Sequence, residues 1–396
     1  MKFNPRRLLK VLTVIFVLLC LNNIIYYFYH TTKVQKEKGI AILVVLTKDS
    51  KEEEYKVALG ECFLEKKSDQ KKLKIEKDSH DLDRTCSIYT LRCYSQIQSY
   101  QFIIARDTDY LWCNQSDVSL KMHFSPIFEN RIQKFFRRHC VAAKILPNYD
   151  ALLFLDADIG VVNPKKRIED YLPDGVDVVL YDRFYNWEVA AGSYIVRNSP
   201  YAVAFLEEWS NYASKLPSGF HGTDNGAIHM LLAEKLFPHS KIQVELCRKI
   251  YNMSKNYDDL FTYEACIQNI FGENQDFGKV RILKKGTGWV RDCWLTSCQW
   301  HPDLDFMLHG WKSSHLKKIF TKTVRPNQMN RSTWYNPIHG EIDLAKCHPG
   351  NQTWSYNPKL MGDKSKILES LTKFEESVAL QQVKSYTRIV EMLQNK

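Results

Sequence analysis

Residues 151–164 read ALLFLDADIGVVNP, and the fold turns on this stretch. Ala151–Leu155 is a short unbroken apolar run, the pattern of a strand buried on both faces in a helix-covered parallel sheet. The run stops at Asp156-Ala157-Asp158. On a strand, residues two apart point the same way, so both carboxylates face one side at the strand's carboxyl end. Open α/β sheets bind ligands at that edge. Two neighbouring carboxylates repel, and near a core they are unfavourable unless an opposite charge meets them. A hard divalent cation meets that demand, and a phosphate-bearing substrate is its natural companion. The pair is therefore a candidate metal site for a nucleotide diphosphate.

Asp-x-Asp occurs four times in the chain, at Asp81/Asp83, Asp107/Asp109, Asp156/Asp158 and Asp303/Asp305. Most such pairs are solvated turn residues, and context separates them. Asp81/Asp83 lies in a charged stretch, and Asp303/Asp305 follows His301-Pro302 with no apolar strand before it. Asp107/Asp109 follows the apolar run 102–105 and is the serious rival. Only Asp156/Asp158 joins a strong strand, an acidic pair and a following Ile-Gly-Val-Val run.

With 396 residues the chain can bury a large core. Its net charge of +10 suits anionic sugar nucleotides or a membrane surface; without an Arg-rich arm or a nucleic-acid motif, no nucleic-acid partner is expected. Lys2, Arg6, Arg7 and Lys10 precede residues 11–29, nineteen positions without a charge. That length spans a bilayer, and Tyr26, Tyr27 and Tyr29 suit the far interface. A cleaved signal would have a shorter apolar region and a small-x-small exit. The positive-inside rule then leaves the N-terminus cytosolic and the rest lumenal, a single-pass type II anchor. Sequons at Asn114, Asn252, Asn330 and Asn351 agree with a lumenal chain. So do ten cysteines beyond the anchor, for which disulfides are the default and connectivity is not legible.

Along the chain, 40–46 reads as a parallel-type strand, 51–77 as charged and partly helical, and 89–98 as a helix before the strand 102–105. A helix over 130–146 leads into the central strand. Strands are expected at 177–181 and 192–196. A helix from Pro200, capped by Ser199, follows, then a second over 223–236 with Thr223 as cap and Pro238 beyond. Past Pro238 the pattern is looser, apart from a short strand at 305–308. From Lys364 onward the spacing predicts one or two amphipathic helices. Alternating strands and helices predict a doubly wound α/β sheet. The domain organisation is a cytosolic N-terminus (1–10), a transmembrane anchor (11–29), a short stem (30–39), a lumenal α/β domain (40–345) and a helical tail (346–396).

Further constellations add to the acidic pair. In His309-Gly310-Trp311-Lys312, a neutral imidazole is a good third ligand for a Mn²⁺-type ion. Gly310 allows close backbone approach, and Lys312 can neutralise a leaving diphosphate. Gly192 and Ser193 enter a strand as small residues that let a sugar ring approach, or that simply pack. Asp224 and Asn225 open the 223–236 helix, where a carboxylate suits the dipole and both side chains could meet sugar hydroxyls. His229 is expected on that helix's surface. Paired acids also suggest a glycosidase, but two residues apart on one strand is the wrong arrangement for it.

Together these residues resemble the metal-dependent glycosyltransferases of the GT-A fold, in particular the galactosyl/mannosyltransferase family of the yeast Golgi and its plant xylosyltransferase relatives. The resemblance rests on Leu155–Asp158, Ala191–Asn198, Asp224-Asn225 and His309-Gly310, and covers about 180 residues, from Lys134 to Lys312. The strings FLDADIGVVNP and HGTDNGAIH are also similar to a nematode family catalogued as a domain of unknown function. Asn225 stands where the transferases often have Gln, and the His-Gly-Trp-Lys loop is compact. The resemblance implies a Rossmann-like GT-A sheet, a Mn²⁺ or other divalent cation, a nucleotide-sugar donor, a glycan acceptor, retention of anomeric configuration and a Golgi membrane location. It implies metal ligation by Asp156, Asp158 and His309. It implies donor contacts from Asp156, Lys312, Gly192, Ser193 and Gly310, and catalytic positioning by Asp224 and Asn225. The alternative is a catalytically inactive lumenal glycan- or nucleotide-binding protein on the same scaffold.

Overall fold

The computed structural model describes residues 39–46, 79–114, 126–311, 335–339, 342–351 and 354–394, all within one compact unit. The N-terminus, the anchor at 11–29, residues 30–38 of the stem, the 51–77 stretch and Lys312 lie outside the described residues. Among the described residues no helix is long and apolar enough to cross a membrane.

The architecture is mixed α/β, with a seven-stranded sheet between layers of helices. Its strands are β1 (Ile40–Leu46), β2 (Gln101–Arg106), β3 (Ala151–Leu155), β5 (Val178–Tyr181), β6 (Ser193–Arg197), β7 (Asp276–Phe277) and β8 (Val280–Leu283), in the order β2-β1-β3-β6-β5-β8-β7. β1 pairs in parallel with β2 and β3, as the apolar runs predict. The sheet is not parallel throughout. β6 runs antiparallel to both β3 and β5, so the sheet reverses direction beside the acidic pair.

β3 is buried along its whole length. Its alternation divides the core: Leu152 and Phe154 face α2 (Pro126–Ile145), α3 (Pro200–Asn211) and α4 (Thr223–Leu236), whereas Leu153 and Leu155 face α1 (Ser79–Gln98). Ser199 caps α3 by accepting from the Ala202 N–H at 3.1 Å, with Pro200 in the first turn. Beyond Pro238 the looser pattern hides two further helices, α5 (Lys241–Met253) and α6 (Tyr257–Phe271), pinned by the Cys247–Cys266 disulfide. α5 buries only Val244, Cys247, Ile250 and Tyr251, a narrow stripe within a charged sequence. Two more disulfides are described, Cys93–Cys347 and Cys113–Cys140. The tail forms one helix, α7 (Lys364–Gln394), whose Ile367 and Leu371 pack on Leu295.

A second, three-stranded sheet joins β4 (Ile159–Val161), β10 (Met307–His309) and β9 (Val290–Asp292). Its seam is closed by Trp311, whose ring lies over Gly160: a Cβ there would come 1.9 Å from the indole. Gly160→Ala must displace a fully buried indole, and we expect a loss of about 1–3 kcal/mol in denaturant unfolding. A change below about 0.5 kcal/mol would mean that the tryptophan does not seat there.

Candidate functional site

The short sheet builds the site through its register. β10 is antiparallel to β4 with His309 opposite Ile159, and parallel to β9 with His309 opposite Asp292. Asp158 immediately precedes Ile159, and its carbonyl accepts from the Gly310 and Trp311 N–H groups at 3.2 and 2.9 Å. Gly310 makes this turn at φ +105°, a left-handed region that favours glycine. His309 is thereby held between two carboxylates, with Nε2 at 3.4 Å from Asp158 Oδ2 and Nδ1 at 2.7 Å from Asp292 Oδ1. Burial opposes a charge on this imidazole, but Asp158 and Asp292 outweigh it and hold its pKa at about 10. Asp292 is held in turn by Arg183, Nη2 to Oδ1 at 2.7 Å, and its pKa sits at about 2 because Arg183 and His309 overcome the opposing effect of burial.

A second charge cluster lies on the helix side of the main sheet. Arg138 of α2 donates to Asp156 through Nη1 and to Asp224 through Nη2 and, at 3.0 Å, Nε. Asp224 is fully buried; burial alone would raise its pKa, but Arg138 and His139 reverse that and hold it at about 2. His139 Nε2 lies 3.0 Å from the same carboxylate, with Nδ1 3.1 Å from the Tyr194 hydroxyl. Burial holds this histidine down at about 4, so it is neutral at pH 7 and donates from Nε2 to the carboxylate. The Asp156 carboxyl is pushed up by burial, which Arg138 only partly offsets, and by Asp158 beside it.

The structure thus brings Asp156, Asp158, His309 and Gly310 to one sheet edge, with Asp224 one guanidinium away. Gly192 makes room there: its carbonyl accepts from the Asp156 N–H at 2.7 Å, and a Cβ would come 2.5 Å from Asp156 Oδ2. Of the two readings of Ser193, donor contact and packing, the structure favours packing. It is fully buried and its hydroxyl accepts from the Trp289 indole at 2.8 Å, so it braces the strand instead of meeting a ligand. Thr223 does not cap α4. Gly222 takes the cap position in a left-handed conformation, Thr223 itself has φ +56°, and His221 Nδ1 accepts the Thr223 N–H at 3.0 Å. His229 is buried, not on the surface: Nε2 accepts from the Val189 N–H and Nδ1 donates to the Asn225 carbonyl. Asn225 is half-buried at the start of α4. Of the rival pairs, Asp107 is paired with Arg137 at 2.9 Å, Asp305 with Arg291 at 2.6 Å, and Asp81/Asp83 lies on α1. The sequence reading missed Arg138, His139, Arg183 and Asp292. The adjacent cations Arg137 and Arg138, followed by His139 inside an otherwise amphipathic helix, were the available signal.

Among the described residues no three His, Cys, Asp or Glu side chains already converge as a metal cage. The reason is visible: Asp156 is turned to Arg138, and the His309 imidazole lies between Asp158 and Asp292. The donor set nevertheless fits a divalent cation. Two ligands at right angles on one ion, each about 2.0–2.2 Å from it, stand roughly 3 Å apart, close to the Asp158–His309 separation. The other ring nitrogen already bonds a carboxylate, as in metal-ligating histidines generally. Side-chain exposures of 30% for Asp156, 13% for Asp158 and 22% for His309 keep these three reachable, whereas Asp292 at 4% can only support.

Arg138→Met leaves the Asp224 charge buried without its guanidinium, and we expect a loss of about 3–5 kcal/mol in unfolding free energy. Adding Asp224→Asn should recover part of it, as coupled partners do. The Asp224 pKa is depressed from 3.8 to about 2, so its contribution is complete above 3.8 and is lost as pH falls towards 2. The gap between wild type and Arg138→Met should therefore narrow in acid; a gap independent of pH would contradict the pairing.

Among solved structures, the chain is similar to one described as a glycosyltransferase involved in the glycosylation of the major capsid of PBCV-1. The identity is 12% and the TM-score 0.33, over 68% of this chain and 92% of that one. At that score the likeness carries nothing about chemistry. No curated protein matches the chain. Residues 91–326, more than half of the chain, match the family model described as protein of unknown function, DUF273, and the chain belongs to that family.

Proposed function

We propose that the protein is a metal-dependent glycosyltransferase that moves a hexose from a nucleotide-diphosphate sugar to a glycan, with retention at the anomeric carbon. The observation that supports this most is the imidazole of His309 fixed between Asp158 and Asp292 at the carboxyl end of β3. Asp158, His309 and Asp156 would hold a Mn²⁺ or another divalent cation. When bound, that cation supplies charge neutralisation at a diphosphate. Asp292 fixes the imidazole so that Nε2 is presented to the site, and Arg183 keeps Asp292 ionised. Gly192 leaves space for the Asp156 carboxylate. Arg138 ties Asp156 to Asp224 and sets the start of α4, where Asn225 can orient a sugar hydroxyl. Lys312, next to Trp311, is proposed to neutralise the leaving nucleotide. Residues 11–29 are proposed to anchor the chain as a type II protein of the Golgi membrane, with residues 40–345 as the lumenal catalytic domain.

One observation favours a second reading, an inactive glycan- or nucleotide-binding protein. Arg138 already neutralises Asp156, and a carboxylate so paired is a weaker ligand. A panel of common nucleotide sugars with Mn²⁺, scored by nucleotide release, separates the two. The transferase reading expects release from one donor, abolished by chelation. His309→Ala and Asp158→Asn should weaken Mn²⁺-dependent nucleotide binding strongly, and Asp292→Asn about 10–100-fold, while free nucleoside binding changes little. Binding without turnover for every donor would favour the second reading. Protease protection in intact microsomes tests the topology: digestion of the main domain from the cytosolic side would exclude it.

A further inference from the structure

A line of rings leads away from His309. Trp294 lies 5.6 Å from the His309 ring, Tyr185 6.2 Å from Trp294, and Phe261 6.3 Å from Tyr185, between centroids. Tyr257 follows at 6.0 Å from Phe261, and Phe220 at 4.7 Å from Tyr257. This is not a core stack: Tyr257 is 64% exposed, Tyr185 is 41% exposed, and the other members of the line are half-buried. Arg183, which holds Asp292, also lies over the Tyr185 and Trp294 rings at 5.7 and 5.9 Å, so the line is anchored to the site.

Tyr185, Trp294 and Phe261 line a groove of about 1240 Å³. α7 also lines the groove, with Phe374 and Val378 among its apolar contributions and Ser377, Gln381 and Lys384 as exposed polar side chains. A lining that combines aromatic faces with hydrogen-bonding groups is the complement of an oligosaccharide. Its apolar C–H faces pack on rings, and its hydroxyls meet hydroxyl, amide and ammonium groups. A protein partner or a second copy of the chain would meet a lining too polar for an obligate apolar interface.

We propose that this groove binds the glycan acceptor, with the sugar chain lying along Trp294, Tyr185 and Phe261 and its reactive end towards His309. The assignment of a reactive end rests on the transferase reading above; the carbohydrate groove itself does not. The test uses the purified full chain on an array of N- and O-linked oligosaccharides in EDTA, so that no metal-dependent donor binding contributes. Wild type should bind a subset of glycans. Tyr185→Ala and Phe261→Ala should each lower affinity about tenfold. Ser377→Trp, on the exposed face of α7 and therefore compatible with folding, should block the groove and do the same. Binding unchanged by all three substitutions, or binding of no glycan, overturns the proposal even if a nucleotide sugar is turned over. Substitutions that alter only self-association in sedimentation overturn it in favour of an interface between copies. Tyr185-dependent glycan binding without turnover of any nucleotide sugar supports the groove and removes the transferase reading.

Discussion

One imidazole between two carboxylates organises this molecule's site. His309 reaches Asp158 and Asp292 together only because β10 lies between β4 and β9 in a fixed register. A slip of one residue on either side would turn the ring to the other face. That register is locked by backbone bonds from the Asp158 carbonyl to Gly310 and Trp311, and by the close seating of Trp311 over Gly160. The two sheets therefore have different roles. The large sheet carries the acidic pair to its edge, and the small sheet carries the histidine to the acidic pair.

Charge balance explains why the site is shaped as it is. Asp156, Asp158, Asp224 and Asp292 are met by two guanidiniums, Arg138 and Arg183, and by one imidazole. The buried carboxylates have the arginines: Asp224 has Arg138 and Asp292 has Arg183. Of the reachable ones, Asp156 shares Arg138 with Asp224, and Asp158 has the imidazole. Without a cation, His309 answers Asp158 by binding a proton, which is why its pKa is pushed up to about 10. A divalent ion would compete with that proton for the same Nε2 and the same carboxylate, so its affinity should fall with acid. Arg138 acts on the geometry as well as the charge, because its fork spans the end of β3 and the start of α4.

Much of this was legible in the sequence, and the losses have physical causes. The apolar run at 151–155 identified the central strand because burial on both faces leaves no polar position. Ser199-Pro200 marked a helix start because capping chemistry is local. The antiparallel insertion of β6 was not legible, since a buried strand reads the same in either direction. α5 was hidden by its narrow apolar stripe, and α6 by the polar residues Asp259, Thr262, Glu264 and Gln268, which it buries among its apolar ones. At the site, Asp156, Asp158 and His309 stood out through strand ends and residue type. Arg138 and Asp292 did not, because their roles come from tertiary pairing across 86 and 17 residues. His229 misled because a polar side chain satisfied by a buried partner looks, in sequence, like one that faces solvent.

The proposed metal site needs Asp158 and His309 Nε2 to share a cation while Nδ1 stays on Asp292. Anomalous diffraction at the manganese edge, from crystals soaked in Mn²⁺ with a nucleoside diphosphate, measures this directly. One strong peak is expected within bonding distance of Asp158 Oδ2 and His309 Nε2, with the His309–Asp292 hydrogen bond retained. No peak at that edge of β3, with His309 still bonded to Asp158, would contradict it.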